Sequence, residues 1–400
     1  MPGAAATLLL ILAFAGSSEA GWRHFQFDNS QFYSLAVVPD GTTHYFLYDS
    51  PDLKHLEISS AGKVISQETV PLTGEEGISN VVIDPAGDLH LISYAEVSGV
   101  TSIAYGVRDS GGWHFQTIPN SNCGNYLSLA LDANNYPLVP CEPIDPTAGF
   151  PIDGFTLISY DGTNWSSETI TTEDLGTTAK YASVAGGSDG SIQVVYTDPS
   201  DDMIYAVKRA GSWSVTDTGL TTSSIDGPFL ALDSMNEPGI ILDSGTSTAY
   251  AHFDGTGWSE QTVLANSQPS NLIFGAGDVP TTVEIDNSKK ALFAQDIDGA
   301  WQFQTIGHGP GLGSAIVGLD ALGIPHLGLE AGTMDVSVAV FAYLSEPALS
   351  IALEQVQSAT VKSKQKITGK LQLMNQGTGG GGKFKVPIFS RTARRLTVLP

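Results

Sequence analysis

The sequence predicts an all-β ring, a seven-bladed β-propeller, and three observations carry that prediction. All six tryptophans of the 400-residue chain, Trp22, Trp113, Trp165, Trp213, Trp258 and Trp301, open or nearly open a short strand-like run after a turn. From Trp113 onward they recur at steps of 52, 48, 45 and 43 residues. Repeats of about 40–50 residues built from short strands are the mark of propeller blades. The third observation is negative: no helical period appears between residues 21 and 346, and 44 Gly with 21 Pro suit a chain made of tight turns.

In chain order, residues 1–20 read as an export signal. Thr7 to Gly16 is apolar but too short to span a bilayer, and Ser18-Glu19-Ala20 offers small residues at the cleavage positions. Gly21-Trp22-Arg-His-Phe-Gln-Phe27 is a Trp strand without a blade of its own. Its expected place is beside Asp335–Tyr343, because the seventh repeat otherwise lacks a Trp strand, and pairing the two removes exposed edges. Trp22 and Trp113 lie 91 residues apart, two steps, and the missing marker is Ile65 in Ile65-Ser-Gln-Glu-Thr-Val70. The third repeat shows the unit: Leu127–Asp132, a turn, Pro137–Glu142, a loop, Phe155–Tyr160, the turn Asp161-Gly-Thr-Asn, and Trp165–Ile170. The ring is expected to end near residue 346, and 347–400 form a short β-rich extension.

Charge narrows the partners. Acids outnumber bases 42 to 18, for a net charge of −24. Nine of the 18 bases lie beyond Ser350 with one acid, Glu354, so the ring itself is more acidic than the whole chain. Such a body repels nucleic acid, whose binding rests on neutralising phosphates with Lys and Arg. No stretch is long and apolar enough for a membrane-spanning helix. Cys123 and Cys141 fall inside one repeat and could close one loop in an oxidising compartment; two isolated thiols are the other reading. A secreted or cell-surface monomer is expected.

The turn before each marker, as in Ser159-Tyr-Asp-Gly-Thr-Asn-Trp165, resembles the Asp box of sialidases and related BNR-repeat propellers, though Gly follows Asp directly and the box is one residue short. Its mechanics are plain: Asp accepts backbone amides, Gly takes the positive φ, and Trp fills space between blades. The resemblance implies a secreted bacterial propeller fold, not an activity. Sialidase chemistry would need three converging arginines, whereas Arg23, Arg108 and Arg209 belong to three different outer edges. Lys366-Ile-Thr-Gly-Lys-Leu-Gln-Leu-Met-Asn-Gln-Gly-Thr-Gly379 resembles the first half of a CARDB-type immunoglobulin-like domain, which about 50 residues cannot complete.

Candidate sites follow from departures and repetitions. The second strand of every repeat ends in an acid: Asp49, Glu96, Glu142, Asp198, Asp243, Asp286 and Glu330. This acidic ring could hold Ca²⁺ or a cationic ligand, or each acid could cap its own loop. The third repeat carries the largest symmetry break, Glu142 to Gly154, with Glu142, Asp145, Phe150 and Asp153 as candidate ligand contacts. His44, His90 and His326 share the start of the second strand, a register that points to packing and hydrogen bonding, and His24 and His114 follow Trp. Only His55, His252 and His308 lie off both registers. No catalytic or cofactor residues are assigned; Ca²⁺ is a candidate helper.

Three functions are compatible with these residues. The leading one is a non-catalytic binding or adhesion propeller for an extracellular glycan or protein. The second is a carbohydrate-active enzyme, hydrolase or lyase, with a carboxylate pair or a His with a Tyr in the central funnel. The third is a lectin with polar sites in the grooves between blades.

Overall fold

The computed structural model describes residues 21–344 apart from 29, 50–51, 73–77, 98–99, 120, 124–127, 146–151, 153, 174–180, 224–226, 310 and 334–335, together with 349–352 and 372–375. Among them there is no helix, and seven antiparallel sheets form the blades. Blade one comprises Gln31–Val37, Thr43–Asp49, Asp52–Ile58 and Val64–Thr69; blade two Ile78–Ile83, Leu89–Val97, Val100–Asp109 and Gly112–Thr117. Blade three is Ala130–Leu131, Pro137–Cys141, Phe155–Tyr160 and Trp165–Thr171; blade four Ala182–Gly186, Ile192–Thr197, Asp202–Arg209 and Ser212–Thr221. Blade five is Pro228–Leu232, Pro238–Asp243, Ser247–Phe253 and Trp258–Ala265. Blade six is Leu272–Gly275, Val279–Asp286, Lys290–Ile297 and Ala300–His308, with Ser267–Gln268 as a fifth strand on Val279–Asp286.

Blade seven closes the ring as the sequence predicts. Ser314–Leu319, Pro325–Thr333 and Val336–Leu344 are completed by Trp22–Asp28, which pairs antiparallel from Trp22↔Leu344 to Asp28↔Val338. Its seam with blade one is sealed differently from the rest. Ile65, in the Trp position, is 57% exposed and does not enter the seam; the ladder shifts register beside it, at Glu57/Ile58. Tyr343 and Phe25 reach across instead, stack on each other and cover Gly62, where a Cβ would meet them at 2.4 and 2.5 Å. Tyr343 also donates to the Ala61 carbonyl at 2.7 Å.

Burial follows strand order. Second strands are almost wholly buried, as in Pro137–Cys141, whereas the fourth strand Val64–Thr69 is almost wholly exposed. The core is therefore distributed between blades: Leu138 and Leu157 of blade three pack with Val184, Val194 and Ala206 of blade four in one cluster. Cys123 and Cys141 form a disulfide, with Cα atoms 5.3 Å apart, fastening the link into blade three onto its second strand. The turns before the Trp strands work as their residues suggest. Asp161 Oδ1 accepts the amides of Thr163 and Asn164, Asp254 Oδ1 those of Thr256 and Gly257, and the intervening Gly162 and Gly255 have φ of 90° and 88°.

First strands line a central channel of about 870 Å³. Some of its polar side chains tie neighbouring first strands together. Ser128 accepts the Val184 amide, Ser183 the Leu230 amide, and Asn271 bonds both amide and carbonyl of Val317. The chain divides into two compact units, Met1–Leu344 and Ser345–Pro400. In the second, Leu349–Ala352 pairs antiparallel with Gln372–Asn375. The rest of the stretch expected to be CARDB-like and the expected export signal lie outside the described residues.

Candidate functional site

Five of the seven seams between blades are built on one repeated contact. The fourth-strand Trp of one blade meets, edge to face, an aromatic from the third strand of the preceding blade. The pairs are His55–Trp113 at 6.0 Å, Tyr105–Trp165 at 5.2 Å, Tyr205–Trp258 at 5.4 Å, Tyr250–Trp301 at 5.7 Å and Phe293–Trp22 at 5.9 Å, with interplanar angles of 63–87°. Leu157 takes the aromatic's place opposite Trp213. In three blades a second-strand side chain then bonds the third-strand residue of its own blade. His90 Nδ1 bonds Tyr105 Oη at 2.5 Å, Tyr205 Oη donates to Gln193 Oε1 at 2.7 Å, and His44 Nδ1 lies 2.9 Å from His55 Nε2. The shared histidine register is thus one of packing and hydrogen bonding, as expected. His326 follows suit, with Nδ1 3.0 Å from Thr43 Oγ1.

The seam between blades one and two is filled by a polar chain. Glu68 Oε1 accepts from His55 Nδ1 at 2.8 Å, Arg108 Nε at 2.5 Å and Trp113 Nε1 at 3.1 Å, and Arg108 Nη2 lies 3.4 Å from Glu57. With His55 Nδ1 donating, a neutral His55 offers Nε2 as acceptor, so His44 supplies the hydrogen from Nδ1. Burial, then the neighbouring His55, pulls the His44 pKa down to about 4. Burial pushes the Glu68 carboxyl up, but the bonds from His55 and Arg108 outweigh it and hold the group low.

The seam between blades five and six is open. Blade five has Gly239 where other blades have His90 or Gln193, and Tyr250 loses that partner. A Cβ on Gly239 would lie 2.8 Å from Phe274 Cζ and 3.0 Å from Tyr250 Cε2, so only glycine fits beneath the two rings. The result is a groove of about 500 Å³ lined by Tyr250, His252, Gln261 and the acids Asp233, Glu260, Asp278 and Asp296, without a Lys or Arg. Some of the acids are committed: Ser234 donates its amide and hydroxyl to Asp278, and Gln261 Nε2 donates to Asp296 Oδ2 at 2.5 Å. Asp296 Oδ1 is buried and receives no hydrogen bond, and Tyr250 beside it is only 6% exposed. Burial raises the Tyr250 hydroxyl far above its ordinary range, and Asp296 and Asp233 add to it. Behind the groove Thr248 of blade five donates to Glu284 of blade six at 2.6 Å; burial lifts this carboxyl to about 8, so it is protonated at neutral pH.

The residues singled out from sequence lie elsewhere. Asp198, Asp243 and Asp286 cap their own turns, accepting the amides of Ser200 and Asp202, of Gly245, and of Ser288 and Lys290. Glu330 is half-buried and accepts from Ser314 at 3.4 Å, and Asp49 is exposed at its strand end. Glu96 lies on Leu89–Val97, its side chain outside the described residues. Among the described residues no member of the acidic ring joins a cluster with metal-ligand spacing. Glu142 is buried beside Cys141, Asp145 is partly buried, and both are engaged; Phe150 and Asp153 lie outside the described residues. Sequence patterns do not pick out the groove as a whole, and its trace is confined to the histidines off the common registers. Of these, His55 and His252 each stand at one of the two seams just contrasted.

No protein-family model matches the sequence, and no curated protein matches it. Solved structures match in fold. Prolyl oligopeptidase B from Galerina marginata aligns with a TM-score of 0.51 and 9% identity, over 79% of this chain and 50% of that one, so this chain spans half its length. The lectin SapL1, in complex with α-methyl fucoside, aligns at 0.47 and 12% over 66% and 94%. Polysaccharide lyase Uly1 aligns at 0.48 and 12% over 83% and 91%. Identities this low speak to fold alone.

Proposed function

We propose that this chain is an exported, non-catalytic binding protein that takes an extracellular glycan or a protein partner in the groove between blades five and six. One observation carries the reading: the ring breaks its symmetry there, leaving a concave site lined by Tyr250 and four acids in which Asp296 Oδ1 makes no bond to the scaffold. Such a site suits a ligand rich in hydrogen-bond donors, such as the hydroxyls of a sugar. The disulfide supports export, since such bonds persist in oxidising compartments. The C-terminal segment is proposed as an accessory immunoglobulin-like element of the CARDB type.

A catalytic reading fares worse. The channel wall carries no carboxylate, His, Lys or Arg among the described residues, and Tyr181 is its one titratable side chain. Tyr250 and His252 do share the groove, their rings 6.3 Å apart, as a lyase would need. But the Tyr250 hydroxyl is raised, which opposes its use as a base near neutral pH, and no cation lines the groove to receive a uronate. The test is a glycan-array screen of the full chain beside Asp296→Asn and Tyr250→Phe. Binding lost in both variants is expected; binding indifferent to both moves the site elsewhere. Release of new chain ends from a bound glycan would establish the enzyme instead.

A further inference from the structure

Three blades set an Asp at the end of the first strand against a histidine. His90 Nε2 lies 3.8 Å from Asp84, His326 Nε2 3.9 Å from Asp320, and His252 Nε2 3.8 Å from Asp233. In blades two and seven the histidine comes from the second strand and is closed in, with residue exposures of 6% and 1%. Blade five differs. Its second strand has Gly239, and the histidine comes from the third-strand position paired with that glycine, with 28% of its side chain exposed to the groove. Glu237 stands where blade two has Asp88, and in blade five one donor atom from each of Asp233, Glu237 and His252 lies within 4.8 Å of the others.

We infer that Asp233, Glu237 and His252 form a site for a divalent transition cation of the zinc type, with a coordination position open to the groove. The backbone already holds Asp233 in a ligating pose. Its Oδ1 accepts the amides of Met235 and Glu237, both at 2.8 Å, which fixes the carboxylate and leaves Oδ2 facing His252. The 3.8 Å gap between Oδ2 and Nε2 is too wide for a hydrogen bond. It is close to the roughly 3.3 Å that separates two N/O ligands on one tetrahedral zinc. An independent observation lies in the same groove: Asp296 Oδ1 is buried and receives no hydrogen bond. The lining holds no Lys or Arg to pair with these carboxylates. A histidine among the donors favours a zinc-type ion over Ca²⁺, which selects oxygen.

A rival trio, His44, His55 and Glu57, also has ligand spacing. There the two rings bond each other and Arg108 occupies Glu57, so the donors are used and a cation is already in place.

The site stands whether or not a glycan binds beside it. The full chain, stripped with chelator and equilibrated with zinc, is assayed for bound metal after gel filtration and for cobalt absorption bands. Expected are one zinc per chain, visible bands of a low-coordinate cobalt–imidazole centre, and affinity reduced by at least roughly 10-fold in His252→Ala and in Glu237→Gln. His44→Gln should bind as the unmodified chain does. No zinc retained, retention unchanged in the His252→Ala, Glu237→Gln double variant, or equal competition by Ca²⁺ overturns the assignment. The cobalt spectrum decides the matter even if a variant fails to fold. Glycan binding that survives zinc removal would leave the groove reading intact while this one falls.

Discussion

The seam between blades one and two and the seam between blades five and six share one plan, a third-strand ring meeting the next blade's tryptophan, and end in opposite states. In the first, His44, His55, Glu68, Arg108 and Trp113 satisfy one another. In the second, Gly239 withdraws one member of that set and a groove opens. The lesson is that a repeat scaffold gains a site by subtraction: the identity of one second-strand residue decides whether a seam is structural or receptive.

The comparison breaks most visibly at the tryptophans. Trp113→Ala should cost about 3–5 kcal/mol, through the lost ring and its surroundings. Trp301→Ala should cost about 1 kcal/mol less, because Trp301 Nε1 makes no hydrogen bond while Trp113 Nε1 donates to Glu68. Urea unfolding of both variants measures this, and equal losses would mean the filled seam is no more tightly coupled than the open one.

Acid and base should separate the seams next. His44 titrates near 4 when folded and near the ordinary 6.5 when unfolded, so the unfolded chain binds the extra proton between these values. Its contribution, roughly 3 kcal/mol at most, is present in full above pH 6.5 and is lost as pH falls toward 4. Glu284 runs the other way: the folded chain holds its proton up to about pH 8, so its contribution is complete below the ordinary 4.5 and is lost as pH rises through 8. Hydrogen exchange should therefore show the first seam loosening in acid and the second in alkali. His44→Gln should flatten the acid limb and Glu284→Gln the alkaline one; unchanged profiles would show that these groups do not govern the seams.

The smallest effect sharpens the contrast. Gly239→Ala forces a methyl against Phe274 and Tyr250 and should cost about 1–3 kcal/mol while narrowing the groove. Thermal unfolding and a groove-ligand titration check it together, and a variant neutral in both would deny that this glycine shapes the site.

Architecture was legible because the marker repeats: Trp22 placed the closing strand, and Cys123 and Cys141 sit where one bond closes one loop. Ile65 misled in part, since its position was right but its side chain turns outward at a register shift that no residue pattern announces. The acids Asp198, Asp243 and Asp286 attracted notice by recurring, yet recurrence marked turn caps. The groove stayed hidden because its members come from two blades, tens of residues apart, each an ordinary strand or turn residue on its own. The histidines outside the common registers were the one trace, and Gly239 left none, because the absence of a side chain writes nothing distinctive in a chain with 44 glycines.

Trp22–Asp28 pairs with Val336–Leu344, so the first strand of the ring to be synthesised waits for the last. Blades one to six can assemble in order as they emerge. Blade seven cannot be completed until residue 344 is available, and a contact spanning some three hundred residues forms slowly. A protease that removes the first few residues therefore leaves an unpaired edge on Val336–Leu344, and a chain that stops before residue 336 leaves Trp22–Asp28 without its partner strand. The clasp acts as a proofreader of chain completeness, and shortened chains are the ones left open to strand-to-strand aggregation.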